Sequence, residues 1–245
     1  MKKLALSLIA LAMGTAGAFA QTFPGNGATG FGDQIGSGTL TASVSGGTVT
    51  FTLTAGPSGL GNDLALYIDS TAGGFSDTST FTDTADGGRR TLSGKGATTG
   101  QSVVTFAPGF TADFGIDLTA SSANLFALNT GSFIFTLGAN FVSTVGNVTT
   151  FTLSLASIGN PITSFGLVGN IVNPNDNAGG NNNDLFRSNE TFGTSTTNPP
   201  LTNPGNNGTL TFSSFDIVVV PEPSTWMMML GGLGMLVLLR RRRTA

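Results

Sequence analysis

Between residues 21 and 220 the chain carries eleven aspartates and one glutamate, and it has no histidine and no cysteine anywhere. Those two absences remove Ser-His-Asp and Cys-His nucleophilic catalysis, His-ligated zinc and thiol redox chemistry together. Carboxylate chemistry is what remains. Glycoside hydrolysis needs two carboxyl groups facing each other across a sugar ring, and Asp63, Asp69, Asp113 and Asp117 are the candidates for such a pair. Against that reading, the body holds one glutamate (Glu190), one tyrosine (Tyr67) and no tryptophan, the only Trp being Trp226 near the C-terminus. Sugar-cleaving clefts use aromatic platforms and several acids. A carboxylate-dependent polysaccharide hydrolase therefore ranks behind the binding and structural readings, and the chain is expected not to be an enzyme.

A second acidic group, Asp69, Asp77, Asp83 and Asp86, lies in the polar stretch "IDSTAGGFSDTSTFTDTADGGRR" at 68–90. Hard cations take several carboxylate and carbonyl oxygens from flexible polar backbone, so calcium is one reading of these four. The spacing is not that of an EF-hand, because "DTADGGRRTLSG" lacks the alternating ligands and the closing glutamate. The simpler reading is a solvated loop whose aspartates start turns by capping backbone N–H groups. No cofactor other than this candidate calcium is expected. Carbohydrate binding by stacking has little to work with, since Tyr67 falls in an apolar strand and most of the 19 Phe must be core. Phe75 and Phe81, in the polar stretch, are the exceptions.

The elements that must position these groups read as strands. Gly, Thr, Ser, Asn and Phe dominate, with few helix formers. Period-two alternation is clear in "TLTASVS" (39–45), "TVTFTLTA" (48–55), "SFIFTL" (132–137) and "VTTFTLSLA" (148–156). Further strand candidates are "LALYID" (64–69), "SVVTF" (102–106), "ADFGIDL" (112–118), "NLFAL" (124–128), "ITSFGLVGNIV" (162–172) and "TLTFSSFDIVV" (209–219), with Gly, Asn and Pro turn signals between them. The pattern predicts an all-β fold: a single β-sandwich or jelly-roll-like domain of about ten strands, without a helix. Two strands look alike, "FTLTAGP" and "FTLSLAS", too little to establish a duplicated domain. Residues 173–208, rich in Asn, Gly and Pro, read as one long loop that only Leu185, Phe186 and Phe192 could dock.

Both ends read as addresses. The start, "MKKLALSLIALAMGTAGAFAQ", has Lys2 and Lys3, a short apolar run and then Ala18-Phe19-Ala20, the pattern of a secretory signal peptide cleaved before Gln21. At the other end, 226–239 is a charge-free run of 14 residues, about 21 Å as a helix. Trp226 stands where an interfacial aromatic belongs, and Arg240, Arg241, Arg242 and Arg243 supply positive-inside charge. A buried core helix has no use for four adjacent cations. The run is expected to be a transmembrane helix with the body outside the cytoplasm, which sets the domains as signal peptide 1–20, body 21–220 and tail 221–245. Without the two ends the body has four basic against twelve acidic residues, a net of −8, which argues against nucleic acid and anionic lipid as partners.

Pro221-Glu222-Pro223-Ser224-Thr225, followed by an apolar run and a basic cluster at the extreme C-terminus behind a signal peptide, resembles the PEP-CTERM sorting signal of Gram-negative bacteria. The resemblance covers about 25 of 245 residues. It implies Sec export, inner-membrane anchoring in transit, recognition by an exosortase (a membrane-embedded transpeptidase-like enzyme) and cleavage near the Pro-Glu-Pro. Proteins with this tail are associated with exopolysaccharide, biofilm and surface display. The resulting expectation is an exported surface or matrix protein with a structural or adhesive role and polysaccharide as a partner. The alternatives are a carbohydrate- or calcium-binding surface module and the hydrolase.

Overall fold

A computed structural model of the chain describes residues 18–96, 100–139, 142–176, 184–196 and 208–221. Residues 1–17 of the expected signal peptide and the apolar run 226–239 lie outside the described residues, and so do Glu222 to Thr225 and the four arginines. Among the described residues no helix is long and apolar enough to cross a membrane. The described body, Phe19 to Pro221, falls in one compact unit.

The fold is mostly β, built from antiparallel sheets. Five strands form the first: β1 (Phe19–Pro24), β2 (Thr39–Ser45), β3 (Thr48–Thr54), β10 (Val148–Ser154) and β9 (Ser143–Val145), in that spatial order. β2, β3 and β10 bury every second residue, as their alternation predicts. The outward residues are mainly threonines that meet across the strands, with Thr50 and Thr152 hydroxyls 3.0 Å apart. The two similar strand sequences are neighbours rather than repeated domains: β3 and β10 pair along their whole length, with Phe51 opposite Phe151 and their rings stacked at 5.0 Å.

The second sheet runs β12 (Asp184–Phe192), β11 (Ser164–Asp176), β4 (Asp63–Asp69), β6 (Phe114–Leu118), β7 (Ala123–Ala127) and β8 (Ile134–Ala139). A short strand, β14 (Asp216–Val219), pairs with the first part of β11 on the same side as β12. The inner faces of both sheets meet in one apolar cluster, joining Leu40, Phe51 and Leu153 to Leu66, Ile116, Leu167 and Val218. The second sheet is buried on its other face too. There Ala65, Tyr67, Val168 and Phe126 pack under Phe81, Leu92, Phe106, Phe110 and Phe212, which come from the connecting segments. Burial on both faces explains why "LALYI" in β4 is apolar without alternation, whereas β3 alternates cleanly. A two-stranded parallel pair, β5 (Val103–Thr105) with β13 (Thr209–Thr211), completes the strands.

Four features depart from the sequence expectation. The described residues hold fourteen strands rather than about ten. The described residues hold two short helical segments, a 3-10 turn at Leu155–Ile158 and the helix α1 (Gly87–Ser93), which is capped by the Asp86 side chain at its start and by left-handed Gly94 at its end. Its opening Gly-Gly is a poor helix sequence, so the caps and the burial of Thr91, Leu92 and Ser93 hold it. The region read as one loop from 173 to 208 contains the end of β11 and all of β12, in which Leu185 to Thr191, except Asn189, are buried. Finally, β1 spans the expected signal-cleavage point, so that cleavage after Ala20 leaves Gln21 to Pro24 paired with Ala42 to Thr39.

Candidate functional site

The four nominated acids fall into two pairs, one at each end of the β4–β6 ladder. At one end, Asp113 accepts from the N–H groups of Ser70 (2.9 Å) and Thr71 (2.8 Å), and Asp69 accepts from Thr111 N–H (3.0 Å). Burial pushes Asp69 up, the Thr111 hydrogen bond draws it back, and the charge of Asp113 adds to the rise. Asp69 lines a cleft of about 310 Å³ with Ser70, Thr71, Phe215 and Ile217. Asp113 does not line it; its hydrogen bonds go to the β4 exit, and it acts there as a turn anchor.

At the other end, Asp63 and Asp117 meet beneath α1. Asp63 accepts from the Thr91 hydroxyl at 2.9 Å, and Asn124 lies 3.5 Å from Asp117. Asp117 is 3 % exposed, and its Oδ1 has no donor. Two carboxylates this close share a proton in preference to carrying two charges. Burial, then the Asp63 charge, pushes Asp117 up to about 8, and burial raises Asp63 as well. Asp86 adds to the rise at Asp117, while Arg90 and the Thr91 hydroxyl favour the ionised form of Asp63. Gly88 covers the pair so closely that a Cβ there would stand 2.7 Å from Asp117 Oδ2. This dyad has the electrostatics of an acid–base pair, but its helix lid keeps a substrate out.

The four calcium candidates do not converge. Asp83 takes Phe133 N–H at 2.7 Å and pairs with Arg89 Nε at 3.1 Å; Asp86 caps α1 and also contacts Arg89. Asp77 accepts from Ser79 N–H at 2.8 Å, and Asp69 is engaged with Thr111. Asp77, Asp83 and Asp86 also cap backbone N–H groups two or three residues on, at Ser79, Ala85 and Arg89, which is the turn-starting role; Asp69 instead bonds a distant segment. Among the described residues no group of three or more acidic side chains is placed to hold a metal ion.

Two buried charges went unmarked in the sequence. Arg187, 1 % exposed, donates to Ser102 O (3.1 Å), Asn170 Oδ1 (3.0 Å) and the Tyr67 hydroxyl (3.2 Å). Tyr67 in turn donates to Leu92 O at 2.6 Å, and burial raises its pKa. The guanidinium thus bolts β12, the centre of the sheet and α1 together. Glu190, fully buried, accepts from the N–H groups of Phe31 (2.6 Å), Gln34 (2.5 Å) and Ile35 (2.8 Å), gathering the 31–35 loop around one carboxylate. Nothing in a stretch of Asn and Gly announces either role. A polar cleft of about 580 Å³ lies beside them, lined by Asn26, Asn189, Thr194, Ser195 and Asp216, with no aromatic side chain in its wall.

The remaining site is the junction with the tail. β14 brings the chain to Val219, opposite Ser164, and Val220 N–H still bonds Thr163 O at 2.8 Å. Val220 is buried, and the folded sheet therefore ends one residue before Pro221. The side chain of Gln21, the expected first residue after signal cleavage, clasps the same strand. It accepts from Val219 N–H (2.5 Å) and donates to Ile217 O (3.1 Å), which joins the edge of the first sheet to the end of the second. Ala18 and Ala20, the expected cleavage residues, are exposed.

The PEP-CTERM protein-sorting motif matches residues 219–243. The match begins inside β14, at Val219, and takes in the Pro-Glu-Pro, the apolar run and the arginines. It implies an exported protein, anchored in the membrane in transit, with an exosortase as its processing partner. No curated protein and no solved structure matches the chain.

Proposed function

We propose that the chain is a non-enzymatic exported protein whose β-sandwich body is delivered by its tail to the cell surface or extracellular matrix, where its role is structural or adhesive. The observation that carries this reading is the direct continuity of the folded sheet with the sorting motif, since the motif begins within β14. The single apolar cluster between the two sheets supports a sandwich. The outward threonines of the first sheet and the low charge of the body suit contact with hydrated polysaccharide, through hydroxyls and not through stacking. The burial of Asp117 and the separate engagement of Asp69 and Asp113 count against a two-acid hydrolase. Sec export and loss of residues 1–20 belong to the same reading.

The test is the intact mass of the native protein in each fraction of its own host. The expected result is a mass lacking residues 1–20 and everything beyond the Pro-Glu-Pro, recovered from the surface or the medium. A mass that retains the four arginines in every fraction would make the tail a permanent anchor and end the surface-release reading.

A further inference from the structure

Eight large apolar side chains stand exposed among the described residues. Three of them, Ile162 (74 %), Ile217 (50 %) and Val219 (40 %), gather where the chain leaves the sheet. Val219 lies opposite Ser164 and Val220 bonds Thr163, so the antiparallel register brings Ile162 level with Pro221. Ile217 and Val219 alternate with the buried Val218 and so share the outer face of β14. Phe19, also exposed nearby, belongs to the expected signal peptide and leaves with it.

What covers this corner follows from the chain beyond it. Six residue steps separate Val220 from Trp226, the first residue of the apolar run, and fully extended they reach at most about 21 Å. A tail embedded in a bilayer thus keeps the corner within reach of the headgroup layer. Three aliphatic side chains gain by leaving water there. The body's net charge of −8 opposes approach to anionic lipid, so the contact is apolar and shallow and favours zwitterionic headgroups.

We propose that Ile162, Ile217 and Val219 form a lipid-contacting rim that seats the body on the outer face of the membrane while the tail is embedded in it. The inference rests on the membrane reading of the tail and adds a second contact to it. The rim holds the body at the lipid surface until cleavage removes the anchor.

The chain's lack of cysteine makes the test direct. Single spin labels are placed through Ile162→Cys, Ile217→Cys, Val145→Cys and Leu233→Cys in the full chain, reconstituted into phosphatidylcholine vesicles. Val145 is 76 % exposed and lies on β9, at the opposite edge of the first sheet from β1, which makes it the aqueous control. Leu233 reports on the tail itself. Labels at 162 and 217 are expected to be several-fold more accessible to oxygen, relative to a water-soluble nickel chelate, than the label at 145. If 162 and 217 match 145 while 233 is in lipid, the rim is overturned and the membrane reading of the tail stands. If 233 is aqueous, the tail reading fails and the rim falls with it. Dipolar broadening between labels at 162 that grows with protein density would instead make the corner a contact between copies, and would also overturn the proposal.

Discussion

Four charged side chains, Asp83, Asp117, Arg187 and Glu190, are buried among the described residues. Arg187 and Glu190 are buried and satisfied almost entirely by backbone carbonyl, amide and hydroxyl groups, and they act as organisers of loops. The dyad Asp63–Asp117 has a measurable signature. A folded-state value of about 8 for Asp117, against an unfolded value near 4, means that the folded form holds a proton the unfolded chain releases. The stability from that proton is fully present below about pH 4 and is lost as the pH rises through about 8. Asp117→Asn keeps the shape and gives Asp63 a permanent donor. The variant should gain about 1–2 kcal/mol above pH 8, which is some 2–8 °C in melting temperature for a body of this size. It should also flatten the profile between pH 4 and 8. Melting curves across pH check this, and an unchanged slope would mean that the two acids do not share a proton. The pairing itself was half legible. Asp63 and Asp117 stand out as acids in apolar strands, but which strands are neighbours does not follow from alternation, since period two fixes faces and not partners.

At the scale of elements, legibility follows the number of buried faces. β2, β3 and β10 have one face in the core and one in water, and their alternation is plain in sequence. β12 is hidden because "DLFRSNETF" buries polar residues beside its apolar ones: Arg187, Ser188, Glu190 and Thr191 lie inside with Leu185, Phe186 and Phe192, held by hydrogen bonds that no hydropathy pattern reveals. β1 is hidden by the signal-peptide pattern that overlaps it. α1 is hidden because it exists through its caps and its lid position. Gly94 carries that dependence: its φ is +70°, and a Cβ would lie 2.0 Å from Ser102 O and 2.6 Å from Arg187 Nη2. Gly94→Ala should therefore cost about 2 kcal/mol or more, through strain at the left-handed cap and displacement of the guanidinium. Urea denaturation reads the loss. A variant with wild-type stability would show that the α1 terminus and Arg187 are not coupled.

At the scale of the whole molecule, the two ends of the described body meet. Gln21 on β1 holds Ile217 and Val219 on β14, so the residue that the expected signal cleavage would leave first helps to fix the strand from which the sorting motif departs. Gln21→Ala removes both bonds. Amide exchange at Val219 and Val220 should quicken by roughly tenfold, for a local loss of about 1–1.5 kcal/mol, while exchange in β3 and β10 stays unchanged. Equal exchange in parent and variant would mean that the clasp adds nothing to the strand's own pairing. The shortness of β14 has a mechanical side. Tension applied through the tail reaches Val220 first. The load falls on the bond to Thr163 and on the Gln21 clasp, and then on a strand only four residues long that is paired to β11 alone. The five-stranded sheet and the two-sided core lie behind it. Under pull, β14 is the fuse: it peels and lengthens the leash by a few residues, and the rest of the body stays folded while the strain is relieved.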